Sequence, residues 1–177
     1  MTPVGLFLPE YNELWLFFVI SKVTADCLVD LLESWWQQVK HRFPQIHRWV
    51  LNADNGPENH SRRTQFMHRL VRWVERESIE LQLAYYPPYH SKYNAVERAF
   101  GWLEQHWSGS LLDSVETVVN FAKNLRFKGN QPFVRLVTEI YQTGVTLLQK
   151  DMEAIERRIQ RLPGLEKWFV TIPSSTA

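Results

Sequence analysis

Two stretches of this chain decide its fold: Leu51-Asn-Ala-Asp54-Asn-Gly-Pro-Glu58-Asn59 and Tyr86-Pro-Pro-Tyr89-His-Ser-Lys-Tyr-Asn94-Ala-Val-Glu97-Arg98. The first predicts a strand that ends at the carboxylate of Asp54. The second predicts an extended segment that turns into a helix, with Glu97 in the first turn. Forty-three positions separate the two acids, which leaves room for one helix and one strand. This order would let one sheet bring both carboxylates together around a divalent metal.

The apolar pattern on both sides of these stretches predicts a mixed α/β sheet. Turn-forming residues after the first strand indicate that the chain opens with an antiparallel hairpin. The predicted elements are, in chain order, strands at 4–8 and 14–21, a helix from Thr24 closed by Pro44, a short buried strand at 49–53, a helix capped by Ser61, a strand at 79–85 and a helix opened by Asn94.

Beyond Gly109 the pattern becomes mainly helical. Residues 115–125 and 133–162 predict helices, and 168–172 predicts a last strand. Within the longer helix, apolar residues repeat at steps of four and three, which predicts packing against the rest of the domain, with dimerisation as the alternative. These residues are Leu148, Met152, Ile155, Ile159 and Leu162.

The composition excludes several classes of protein. Hydrophobic residues make up 45% of the chain and charged residues 22%, which excludes a disordered or collagen-like chain. The single Cys27 cannot form an internal disulfide, so a reducing cytoplasmic setting is predicted. The longest apolar run, 14–20, is too short to span a membrane. Because the net charge is only +1, any contact with nucleic acid must come from local basic patches.

The sequence around Asp54 has two interpretations. Asp-Asn-Gly-Pro is a good turn sequence, since Asx residues and glycine favour turns. The functional alternative is that a side chain just past a strand end in an α/β sheet faces the ligand crevice. A carboxylate there suits Mg²⁺ or Mn²⁺, which prefer oxygen ligands.

Glu97 also has two interpretations. Asn94 and Glu97 have the spacing of a capping box, in which the glutamate bonds the start of its own helix. The alternative is a second metal ligand. Glu104, two turns further along the same helix face, and Glu58, close to Asp54, are the fallback acids.

Taken together, the two stretches form an ordered constellation that resembles a known family. Asp54-Asn-Gly-Pro is similar to the second acidic motif of the DDE transposases and retroviral-type integrases, and Tyr89-His-Ser-Lys-Tyr-Asn94-Ala-Val-Glu97 is similar to the third. From about residue 2 to about residue 172 the chain resembles the bacterial insertion-sequence group ISAzo13. The shared motifs are Asp-Asn-Gly-Pro-Glu, Ser61-Arg-Arg-Thr-Gln-Phe66, Tyr-Tyr-Pro-Pro-Tyr-His-Ser-Lys-Tyr-Asn and Asp113-Ser-Val-Glu.

The resemblance implies a ribonuclease H-like mixed sheet flanked by helices. It also implies metal-dependent cleavage and transfer of DNA strands, which is transposition. Asp54 and Glu97 would be two of the three carboxylates that hold two metal ions, Mg²⁺ or Mn²⁺. The partners would be transposon ends and target DNA, and the setting the bacterial cytoplasm. Assembly would be a homo-oligomer or a pairing with an upstream transposase part.

Basic residues flank the same two stretches and are candidate phosphate contacts. The alternative is that each of these residues lies at a solvent-exposed helix end and does not contact DNA. These DNA-binding candidates are Arg62, Arg63, His90, Lys92 and Arg98. A second basic set predicts an exposed helix face: Arg69, Arg72 and Arg76. The tyrosines are candidates either for stacking on bases or for packing: Tyr85, Tyr86, Tyr89 and Tyr93.

The first acid of the family is expected on a central strand ahead of the hairpin, and the sequence shows no substitute for it. Asp26 and Asp30 come too late, on the helix after the hairpin. We therefore expect residues 1–112 to form a partial ribonuclease H-like DDE core whose first strand is missing. Residues 113–177 would form a helical C-terminal extension that packs on the core. Unless the sheet closes or another chain supplies a strand, unpaired backbone groups would destabilise such a core.

Three functions remain open at this stage. The chain is the C-terminal catalytic portion of a DDE transposase, inactive alone because the first catalytic Asp is absent. Alternatively, it is a stand-alone ribonuclease H-like nuclease that uses Glu58 or Glu104 as its third acid. The last alternative is a non-catalytic interaction module that binds intact transposase.

Overall fold

The computed structural model describes residues 1–87, 94–107 and 114–174, and it confirms the predicted α/β class. Two short 3₁₀ turns are present: Pro9–Tyr11 follows the first strand, and Lys40–Arg42 follows the first helix. The strands are β1 (Thr2–Leu8), β2 (Glu13–Val19), β3 (Arg48–Ala53), β4 (Glu80–Tyr85), β5 (Phe133–Val137), β6 (Gln160–Arg161) and β7 (Phe169–Ile172). The helices are α1 (Ala25–Val39), α2 (Thr64–Glu77), α3 (Ala95–Trp107), α4 (Val115–Asn124) and α5 (Gln149–Glu156).

The chain divides into two compact units, each built from two separate segments. The first unit comprises 1–22 and 90–140, and the second comprises 23–89 and 141–177. Among the described residues, the first unit holds the sheet β1-β2-β5 and the second holds the sheet β3-β4-β7-β6.

The first unit is built around strand β2, which is buried from Leu14 to Val19. On one side β2 pairs with β1 as the predicted antiparallel hairpin, and on the other it pairs in parallel with β5. One stacked pair of rings joins the parallel strands, because the centroids of Trp15 and Phe133 lie 4.3 Å apart. Helices α3 and α4 pack on this sheet, and the core they share consists of Leu14, Leu16, Phe18, Ala99, Leu103, Val118, Ala122, Leu125 and Phe127.

Helix α3 approaches the sheet closely at Gly5 of β1. A Cβ atom added at Gly5 would lie 2.6 Å from Cγ1 of Val96 and 3.2 Å from Cζ of Phe100. Both residues belong to the first two turns of α3, next to Glu97. The lack of a side chain at Gly5 therefore sets how near the start of α3 can lie to strand β1.

The second unit places the strand before Asp54 at the edge of its sheet. Strand β3 pairs in parallel with β4, from Arg48 opposite Glu80 to Ala53 opposite Tyr85, and the described residues include no strand on its other side. The prediction of a buried strand was therefore wrong in part. Residues along β3 alternate between exposed and half-buried, as expected of an edge strand with one covered face.

A tryptophan cluster covers the inner face of β3. The ring of Trp49 lies 5.0 Å from that of Trp35, 4.8 Å from that of Trp36 and 4.7 Å from that of Trp73, measured between centroids. Trp35 and Trp36 come from α1 and Trp73 comes from α2. The cluster therefore packs both helices of this unit against the strand that leads to Asp54.

Ion pairs also join α1 to α2, which corrects the prediction of an exposed arginine face. Arg69 donates to Asp26 at 2.7 Å and to Asp30 at 2.5 Å. Arg76 lies 3.1 Å from a carboxylate oxygen of Glu33. Arg72 is exposed as predicted, and Arg76 is exposed as well although it makes this ion pair. The acidic partners lie on α1, so the pattern within α2 alone did not reveal the ion pairs.

Other boundaries and caps differ from the sequence prediction. The helix predicted from Thr24 is confirmed as α1, and Thr24 caps it, with its hydroxyl accepting from the amide of Cys27 at 3.2 Å. Ser61 does not cap α2, since that helix begins after Arg63 and the Ser61 hydroxyl donates to the main-chain oxygen of Lys167. The predicted strand near the C-terminus is confirmed as β7.

The predicted C-terminal helical extension was wrong in content. Residues 133–162 do not form one helix: they contain β5, the short α5 and β6, joined by irregular chain. The apolar residues that repeat at steps of four and three do not form a continuous packing surface, because Ile155 and Ile159 are buried while Leu148 is 64% exposed. The strands β5, β6 and β7 instead complete the two sheets.

We predict that Gly5→Ala destabilises the first unit. The new methyl group would meet Val96, whose β-branched side chain has little rotamer freedom in a helix. Overpacking of this kind costs ~1–3 kcal/mol, which equilibrium urea unfolding would measure as a lower free energy of unfolding.

Gly101→Ala is the matched control, because a Cβ at Gly101 meets no other atom within 4 Å. Alanine in a helix interior is favoured over glycine by ~0.5–1 kcal/mol, so this variant should gain stability. Equal stability of Gly5→Ala and the unmutated chain would contradict the close approach of α3.

Candidate functional site

Asp54 lies directly after strand β3 with its side chain exposed. The main chain of β3 continues its pairing up to this point, since the amide of Tyr86 donates to the oxygen of Ala53 at 3.0 Å. One carboxylate oxygen of Asp54, Oδ1, accepts from the side-chain amide of Asn59 at 2.7 Å. The other, Oδ2, accepts no hydrogen bond from the residues that the structure describes.

The Asp54 loop, which we define as residues 54–63, folds back on itself. The amide of His60 donates to the oxygen of Gly56 at 3.1 Å, and the amide of Arg63 donates to the oxygen of His60 at 2.8 Å. A Cβ at Gly56 would lie 3.0 Å from Oδ1 of Asn59 and 3.4 Å from Oδ2 of Asp54. Glycine at position 56 therefore makes room for the hydrogen-bonded pair of side chains.

Glu58 is already used within the second unit. Its Oε2 accepts from the amide of Ala25 at 3.2 Å and lies 3.1 Å from Nη2 of Arg63. A carboxylate at the first amides of α1 stabilises the helix through the free N–H groups and the helix dipole. The loop is thereby fastened to the start of α1, and both Glu58 and Arg63 have partners inside the protein.

His60 and Arg62 occupy the middle of the loop. Nδ1 of His60 accepts from the main-chain amide of Arg62 at 3.1 Å. Burial, followed by the positive charges of Arg63 and Arg62, lowers the pKa of His60 below its usual 6.5. The guanidinium of Arg62 is exposed and makes no ion pair within 1–87, 94–107 and 114–174.

Tyr85, at the end of β4, supports the loop from inside. It is only 5% exposed, and its hydroxyl donates to the main-chain oxygen of Asn59 at 2.7 Å. Burial raises the pKa of this phenol well above its usual value, so the hydroxyl keeps its proton and stays a donor. Tyr85 is therefore a packing residue and not a platform for stacking on DNA bases.

Glu97 lies in the first unit, in the first turn of α3, and is exposed. Asn94 starts this helix, with its Oδ1 accepting from the amide of Val96 at 3.1 Å. The side-chain amide of Asn94 also donates to Oε1 of Glu97 at 3.4 Å. Glu97 thus contacts the capping side chain, while its carboxylate remains open to solvent.

The sequence-predicted site residues fall into separate groups. Asp54, Arg62 and Arg63 belong to the second unit, and Glu97 and Arg98 belong to the first. The predicted His90 and Lys92 lie outside the described residues. Within the described ranges, no three His, Cys, Asp or Glu side chains lie close enough together to hold a metal ion.

Sequence reasoning missed Asn59 as a partner of Asp54 and Tyr85 as a support of the loop. The proximity of Asn59 to Asp54 in sequence was a usable signal, because Asx residues in turns bond neighbours. Tyr85 carried no such signal, because it is 26 residues from Asn59 and the pairing of β3 with β4 brings the two residues together.

A family model described as Rhodopirellula transposase DDE domain matches the chain over residues 1–174. The chain belongs to this DDE transposase family. The searches of curated proteins and of solved structures return no match. The mixed sheets and flanking helices are consistent with a ribonuclease H-like DDE domain, so the family and fold resemblance seen in the sequence is confirmed.

Membership in the DDE transposase family supports a role in transposition through DNA cleavage and strand transfer, and the family generally uses divalent metal ions. A family of this kind acts on DNA. None of the described helices is long and apolar enough to cross a membrane.

We predict that His60 makes the protein less stable in acid. The unfolded chain binds a proton near pH 6.5, but the folded state resists protonation until its lowered pKa is reached. The free energy of unfolding should therefore fall as the pH drops through 6.5 toward that lower value.

Urea unfolding at pH 8, 7, 6 and 5 would measure this loss for the unmutated chain and for His60→Asn, whose amide oxygen can replace Nδ1 as acceptor. The variant should lose less stability on acidification. Parallel profiles for the two proteins would contradict the prediction.

Proposed function

We propose that this chain forms catalytic parts of a DDE transposase in which Asp54 and Glu97 are two of the metal ligands. The observation that carries the proposal is the family match over residues 1–174, joined to an exposed acid at each motif position. Asp54 follows a strand end, and Glu97 lies in the first turn of a helix. We infer that the reaction is cleavage of a DNA strand followed by transfer of its 3′ end.

The donor set suits Mg²⁺ or Mn²⁺. Both candidate ligands are carboxylates, and Oδ2 of Asp54 is not used by any described donor. Metal ions held by such acids activate the attacking oxygen and stabilise the leaving one. At Asp54 the protein would present Oδ2 to the metal while Oδ1 accepts the hydrogen bond from Asn59.

We expect the chain alone not to cleave DNA. A two-metal site of this class uses three carboxylates, and the sequence offers an acid at only two of the motif positions, Asp54 and Glu97. Glu58, one fallback for a third acid, is already bonded to Ala25 and Arg63. Glu104, the other fallback, is exposed on α3. Of the two fallback acids, Glu58 is therefore the weaker candidate for the third ligand of a stand-alone nuclease.

DNA contacts are proposed at the basic residues near the two acids. Arg62 is exposed beside the Asp54 loop, and Arg98 is exposed next to Glu97. Both would bind phosphates without reading the base sequence. Arg63 would have to exchange its contact with Glu58 for a phosphate, so we rank it below Arg62. His90 and Lys92 remain candidates from sequence alone, as do the cytoplasmic location and pairing with a further transposase part.

We predict that the purified chain binds Mn²⁺ and that Asp54→Asn weakens this binding more than about 100-fold. Loss of outer-shell partners alone costs ~10–100-fold in metal affinity, and a direct ligand should cost more. Isothermal titration with MnCl₂ would measure the dissociation constants.

Glu97→Gln should weaken Mn²⁺ binding as well, whereas Glu10→Gln, at an exposed glutamate of the same unit, is the matched control. Unchanged affinity in Asp54→Asn would overturn the assignment.

A plasmid-nicking assay with Mg²⁺ or Mn²⁺ separates the alternatives. If the unmutated chain nicks the plasmid and Asp54→Asn does not, the stand-alone nuclease is favoured. Metal binding without nicking would favour an incomplete site. Co-purification with intact transposase and no metal binding would favour the interaction module.

A further inference from the structure

We infer that Asn59 is a positioning residue that orients the carboxylate of Asp54, and that Tyr85 holds Asn59 in place. The inference rests on the proposed function, because it assigns a role to Asn59 through the metal ligand Asp54. Two hydrogen bonds link these residues, one from the Tyr85 hydroxyl to the main-chain oxygen of Asn59 and one from the Asn59 side chain to Asp54.

The first step is the bond between Asn59 and Asp54. A carboxylate on an exposed loop can rotate, and each orientation presents different oxygens to a cation. The 2.7 Å bond from the Asn59 amide occupies Oδ1 and leaves Oδ2 for a ligand. Gly56 completes the arrangement, since a Cβ there would lie tightly, at 3.0 Å, against Oδ1 of Asn59 and in contact with Oδ2 of Asp54.

The second step is the support beneath Asn59. The main-chain oxygen of Asn59 accepts from the buried hydroxyl of Tyr85 at 2.7 Å. Tyr85 belongs to β4, and Ala53 is its register partner on β3. The same strand pair therefore fixes the start of the loop, at Asp54, and the point at which the loop turns back, at Asn59.

The third step is a brace on the far side of the loop. Arg161 of β6 donates to the main-chain oxygen of Ser61 at 2.9 Å and is itself held by Glu156 at 2.6 Å. The Ser61 hydroxyl donates to the oxygen of Lys167 at 3.0 Å. The C-terminal segment of the second unit thus holds the loop just after Asn59.

These contacts resemble the outer shell that orients ligands in metal proteins, where partners of a ligand are themselves fixed by hydrogen bonds. Asn59 itself would not contact the metal. Its part is to keep Asp54 in one orientation, and that of Tyr85 is to keep Asn59 within reach of Asp54.

The test is a double-mutant cycle on Mn²⁺ affinity, using MnCl₂ and the full chain at a temperature where every variant is folded. Asn59→Ala should weaken binding about 10-fold. Tyr85→Phe, which removes only the hydroxyl, should weaken binding in the unmutated chain. In the Asn59→Ala background it should have no further effect, because no side chain is left to position.

Asn52→Ala and Tyr86→Phe are the matched controls. Asn52 is exposed on β3, Tyr86 is the neighbour of Tyr85, and the side chains of both lie outside the bonding chain described above. Both controls should bind Mn²⁺ as the unmutated chain does. Thermal unfolding followed by tryptophan fluorescence identifies variants whose loss is one of folding.

A second measurement does not depend on metal. The ¹³C chemical shift of the Asp54 carboxylate should move in Asn59→Ala and in Tyr85→Phe, and Tyr85→Phe should not move it further once Asn59 is alanine. A purely structural role for Tyr85 would lower the unfolding temperature and leave this signal unchanged.

The outcomes separate the two proposals. If Asp54→Asn loses Mn²⁺ while Asn59→Ala binds it normally, the positioning role is overturned and the metal assignment stands. If the unmutated chain shows no specific Mn²⁺ binding, or Asp54→Asn binds Mn²⁺ as tightly as the unmutated chain, the proposed function fails, and the carboxylate signal still decides whether Asn59 orients Asp54. Equal losses from Tyr85→Phe in both backgrounds would remove Tyr85 from the inference.

Discussion

The register of the parallel strand pair β3–β4 is the constraint on which the Asp54 loop depends. Ala53 lies opposite Tyr85, so the strand that ends at Asp54 stops beside the residue that holds Asn59. A slip of one residue would turn every side chain of a strand to the other face. Tyr85 would then point away from the loop, and Asn59 would lose its support. The tryptophan cluster fixes this register, because Trp49 must face α1 and α2.

The other acid depends on a different kind of constraint. Glu97 is placed by the packing of α3 on the first sheet, and that packing is close because β1 has no side chain at Gly5. Asn94 then fixes where the helix starts. The position of Asp54 is thus set by strand pairing, and that of Glu97 by the close packing of α3 against Gly5 of β1. Each arrangement leaves an exposed carboxylate, which is what a family of metal-dependent DNA-processing enzymes needs.

Local patterns in the sequence predicted the elements well where local chemistry decides them. The hairpin, the Thr24 cap of α1 and strands β3, β4 and β7 follow from apolar patterning and capping chemistry, and the structure confirms them. Residues 133–162 were predicted as one helix because the apolar spacing fits one. Part of this segment instead forms β5, since pairing with β2 stabilises it more than local propensity favours a helix. The C-terminal segment accordingly completes sheets and braces the Asp54 loop.

The sequence by itself determined the family, the α/β class and the two acidic motifs, because each follows from motifs or apolar patterns of residues that are adjacent in the chain. Only the tertiary structure decided how those residues are used. Glu58 is bonded to the start of α1, Arg69 is paired with acids on α1, and Asn59 is held between Asp54 and Tyr85. The physical reason is that a side chain's partner is set by the packing of distant segments. Hydrogen bonds and ion pairs between those segments leave no periodic trace along the chain.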